Sequence, residues 1–81
     1  MHKAELFRAI DLASNGNWNE AHHIVQQFDD RFACWIHAVL HKIEGDEGNS
    51  RYWYARAGKA FEAYSNHEEE LRHIKNSLLD T

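Results

Sequence analysis

The residues best able to do chemistry lie on one stretch of the chain: Cys34, His37, His41 and Glu44. His37 and His41 are four residues apart. On a helix this spacing puts both rings on one face, where two imidazoles can chelate one cation. Glu44 follows three residues later and offers a carboxylate oxygen as a third ligand. Together they form half of a metal site. A zinc or iron centre needs a further ligand from another helix, and His22, His23 and His73 are the histidines available for it. The zinc-peptidase motif is absent, because Glu does not follow His37 directly. A partly solvated polar stripe on an otherwise buried helix accounts for the same residues more simply.

The remaining reactive groups have plainer explanations. His22 and His23 are adjacent, so on a helix they point about 100° apart and do not chelate together. They are expected as surface histidines beside a core stripe. Cys34 lies one turn before His37. A Cys–His pair makes a nucleophile only in an exposed, electropositive setting, and a single cysteine near Ala38 is expected to be packed in the core. Glu68, Glu69 and Glu70 suit the positive end of a helix and are expected on its solvated face. No Gly-x-Ser-x-Gly, phosphate loop or dinucleotide fingerprint occurs. Arg51 to Arg56 is an aromatic and cationic cluster. Tyr52 and Arg56 are four apart, so the arginine can lie over the ring. If the helix-hairpin repeat described below holds, Tyr54 and Ala57 face the core, and Tyr52 and Trp53 cannot both do so. Core packing accounts for this cluster more simply; the competing account makes Tyr52, Trp53 and Arg56 an interaction surface.

These groups must be carried by helices. The 81 residues include no proline and only four glycines, which suits helices joined by short turns. The length allows one domain, residues 1–81, with a thin core. Leu6, Ile10 and Ala13 predict a first helix over about 2–14, ended by Gly16. Asn17 reads as the next N-cap, with Glu20 as the return half of a capping box. Trp18, Ala21, Val25 and Phe28 predict a second helix over about 18–28. The third, about 30–44, differs in kind: its large apolar residues from Phe32 to Ile43 fill an arc of about 160°. Small Cys34 and Ala38 lie beside that arc, and His37, His41 and Glu44 form a polar stripe roughly 60° wide. It is expected to be the central helix. A fourth helix is predicted from Asn49 or Ser50 to Ala57, stopping or kinking at Gly58. A fifth starts at Ser65 or Asn66 and carries Leu71, Ile74 and Leu78.

Offsetting the chain by 29 residues aligns its two glycine turns. Gly16-Asn17 meets Gly45-Asp46, Ala21 meets Ser50, Val25 meets Tyr54 and Phe28 meets Ala57. The roles agree in order, as in a stacked helix-hairpin array. Gly45-Asp46 followed by Ser50, Tyr54 and Ala57 resembles the second half of a tetratricopeptide or Sel1-like repeat, and the likeness extends over about residues 5–58. The chain departs from that pattern in its short period, its two hairpins and its lack of a closing proline. The stretches 35–38 and 51–58 also resemble small bacterial helical proteins of unassigned function. The resemblance implies two stacked antiparallel helix hairpins, closed here by a C-terminal helix, and a protein-binding role.

Composition bounds the function. The net charge is −4 and no run of three basic residues occurs, which argues against a nucleic-acid partner. One cysteine cannot form an intrachain disulfide and points to a reducing compartment. The first residues do not form a signal peptide, and no apolar run approaches the length of a membrane span. A cytoplasmic protein is expected. The expected fold is all-α, with four or five short helices. The expected function is a non-catalytic protein-interaction module that binds a protein partner or a second copy of itself, with no cofactor required. The alternative is a metal-binding protein or metal-dependent enzyme that uses a divalent ion at His37, His41 and Glu44.

Overall fold

The computed structural model describes residues 2–81 and contains helix but no strand among them. Five α-helices follow in order: α1 (Lys3–Ser14), α2 (Trp18–Val25), α3 (Arg31–Glu44), α4 (Glu47–Ala57) and α5 (His67–Leu79). A short 3-10 turn, Phe61–Ala63, joins α4 to α5. α1 packs on α2 and α3 on α4, giving two helix hairpins, and α5 packs on both α3 and α1. No helix among the described residues is long and apolar enough to cross a membrane.

α3 is the centre of the molecule. Every residue from Ala33 to His41 is buried. The apolar arc faces the core; of the narrow polar stripe, His37 and His41 are buried, with His37 between His22 of α2 and Trp53 of α4, while Glu44 stays exposed. Small residues let α4 approach: Ser50 is fully buried and its hydroxyl donates to the carbonyl of Ala38 at 2.7 Å. Cys34 packs on the same strip, with its thiol directed at the Asp29 carbonyl.

Helix ends follow local chemistry. Asp30 caps α3 by accepting from the Ala33 amide, and Asn66 caps α5 by accepting from the Glu69 amide. Gly45 and Gly58 close α3 and α4 in the left-handed region, at φ +84° and +72°. After each, the next amide reaches back across the last turn, Asp46 to His41 O and Lys59 to Tyr54 O. α4 therefore stops at Gly58.

Two boundaries and one cap differ from expectation. α4 starts at Glu47, two residues early, because Asp46 caps it by accepting from the Asn49 amide. α2 ends at Val25, where the chain tightens into bonds from Gln27 to Ile24 O and Phe28 to Val25 O. The Phe28 ring is left to stack on His2. Asn17 precedes α2 but makes no side-chain cap, so no capping box forms with Glu20.

Glu70 is the largest departure. Far from a solvated face, it is 1% exposed. Its Oε2 accepts from Trp35 Nε1 at 2.9 Å and from the Tyr54 hydroxyl at 2.6 Å, and Lys42 Nζ lies 3.1 Å from Oε1. Lys42 also donates to the carbonyls of Phe61 and Tyr64. One carboxylate thus ties α3, α4, α5 and the 3-10 turn together, and its charge is matched by Lys42. Burial and the adjacent carboxylate raise the Tyr54 hydroxyl well above the usual tyrosine range.

Candidate metal centre

His37 and His41 share a face of α3, as their spacing requires, and their rings stack at 5.0 Å. They are 4% and 8% exposed. The third member comes from α2. His22 Nε2 lies 3.1 Å from His37 Nε2, and the His22 ring meets both other imidazoles edge-on. The three residues offer one ligand nitrogen each, all within 4.8 Å of one another. Around tetrahedral zinc, with bonds near 2.0–2.1 Å, such nitrogens stand about 3.3 Å apart. The His22–His37 separation already matches that edge.

α2 is held in register by its first residue. Trp18 Nε1 donates to the Leu40 carbonyl at 2.6 Å, and the Trp18 ring stacks on His22 at 4.8 Å. On the other side, Trp53 of α4 lies flat on His37, with ring centroids 3.9 Å apart. The imidazoles are therefore clamped between two indoles. His37 Nδ1 is buried without a hydrogen-bond partner.

Electrostatics favour the neutral ring at His37 and at His22. Burial, then the neighbouring His22 and His41, pushes His37 down to about 4. His22 is lowered as well, first by burial and next by His41. Neutral imidazole is the form that binds metals.

Glu44 stands behind the cluster. Its Oε2 lies 2.6 Å from His41 Nδ1. An ionised carboxylate accepts only, so His41 donates from Nδ1 and its Nε2 is the nitrogen turned away from Glu44. This carboxylate–histidine pair is the usual second support of a metal ligand. Asp46 lies near Glu44 and His41, but both its oxygens are held by Asn49.

The other histidines take different places. His23 is exposed beside Gln26, and His73 packs against Trp35 and Tyr64. His22 is one of the three histidines the sequence makes available as the further ligand; expected at the surface, it lies half-buried against His37. A signal was present: Trp18, His22 and Val25 fall on one helical stripe, which places His22 on the buried side of α2. Tyr52 is 53% exposed, and Trp53 is half-buried over His37. Arg56 lies over both rings, at 5.8 and 5.3 Å, with Nη1 3.3 Å from the Tyr52 hydroxyl.

No family model, curated protein or solved structure matches the chain.

Proposed function

We propose that the chain is a small metal-binding protein that holds one divalent transition ion between α2 and α3 through His22, His37 and His41. One observation carries this: three imidazole nitrogens from two helices lie within 4.8 Å of one another. The ligand set is nitrogen only, which suits zinc, copper, nickel or cobalt and not magnesium or calcium. Glu44 serves as the orienting partner of His41 rather than as a ligand. Tag-free protein dialysed against zinc should retain one ion per chain by elemental analysis. Folded His22→Ala and His37→Ala chains should retain none. Zinc retention that is absent, or unaffected by His22→Ala, refutes the assignment.

A second function, docking of a protein partner or a second copy, is favoured by the exposed Tyr52 ring with Arg56 over it. The hairpin resemblance supports it too. Alanine at Tyr52 and Arg56 should abolish a dimer or a captured partner without unfolding the chain. Intact association of both variants excludes that surface.

A further inference from the structure

We infer that the metal centre keeps its fourth coordination position open and binds a small monodentate anion there. This rests on the metal-binding proposal above and adds to it the identity of the missing ligand. Among the described residues, no fourth His, Cys, Asp or Glu has a ligand atom close to all three imidazole nitrogens. The nearest acids are otherwise engaged. Glu44 is bonded to His41 Nδ1, and Asp46 to Asn49. The Cys34 thiol is turned to the Asp29 carbonyl, so no thiolate completes the set.

A closed structural zinc site has four protein ligands, whereas three leave a position for an exchangeable one. Charge then selects what enters. Three neutral imidazoles leave the full +2 of the ion in place, and among the described residues the one carboxylate bonded to a ligand is Glu44, on the far nitrogen of His41. An anion is favoured over a neutral donor. The indoles crowd the site, since the Trp18 ring lies on the face of His22 and the Trp53 ring on the face of His37. Access runs past His22, which is half-buried while His37 and His41 are buried. A one-atom donor such as hydroxide, azide or a halide fits these limits, and a bulky chelating substrate does not.

Cobalt(II) reports the geometry directly. The full chain, freed of metal and loaded with cobalt in chloride-free buffer, is titrated with azide while its visible absorption is recorded. A saturable change in the cobalt bands, with one azide per cobalt, is expected. Cobalt bands that form normally and stay unchanged at excess azide overturn the open position and leave the metal-binding proposal standing. No cobalt absorption in the folded chain overturns both.

Discussion

At the residue scale, His37 makes pH the most direct probe. The folded protein holds its imidazole near 4, through burial and then through His22 and His41. The unfolded chain titrates near 6.5. Between these values the unfolded state binds a proton that the folded state refuses, so acid favours unfolding. The stability of metal-free protein should be fully retained above pH 6.5, fall as the pH drops toward 4, and level off below. The loss from His37 is about 3 kcal/mol. Urea midpoints measured in chelator should show it, with a visibly flatter pH profile for His37→Asn. Equal profiles for the two chains would contradict the buried neutral ring. Glu70 is the second sensitive residue. Glu70→Leu strands Lys42 and two donors, at a cost of about 3–5 kcal/mol in urea unfolding. The whole domain holds only about 4–12 kcal/mol, so this one change should bring the chain close to unfolding.

At the element scale, α3 decides the layout. Its small strip sets how near α4 can come, and Ser50 against Ala38 is the point of contact. Ser50→Leu must push the two helices apart and should cost about 1–3 kcal/mol. It should also move Trp53 off His37, which would appear as a changed tryptophan fluorescence. Gly58 tests a different cost. A Cβ there meets no atom within 4 Å, but the residue sits at φ +72°. Gly58→Ala should therefore cost about 1–2 kcal/mol from the backbone alone. The helix types were legible because α1, α3 and α5 carry clear apolar stripes. Boundaries were less so. The start of α4 turned on the Asp46 side chain reaching the free Asn49 amide, which the spacing of apolar residues does not reveal.

At the scale of the whole molecule, a bound ion would join the first hairpin to the second, because His22 belongs to α2 and the other ligands to α3. Zinc at one hundred times its dissociation constant adds about 2.7 kcal/mol. For a domain of this size that raises Tm by about 10–20 °C, and His22→Ala should abolish the rise in calorimetry. Small size makes such a staple physically meaningful, since the core is thin and α5 alone closes it. Periodicity and turn residues sufficed to define an all-α chain, its central helix and the shared face of His37 and His41, because these depend on neighbours a few residues away. The meeting of His22 with that face, the withdrawal of Glu44 to His41 Nδ1 and the burial of Glu70 under Trp35 and Tyr54 depend on how separate helices dock. That docking is set by side-chain shape across the α2–α3 and α3–α5 contacts, and no local spacing encodes it.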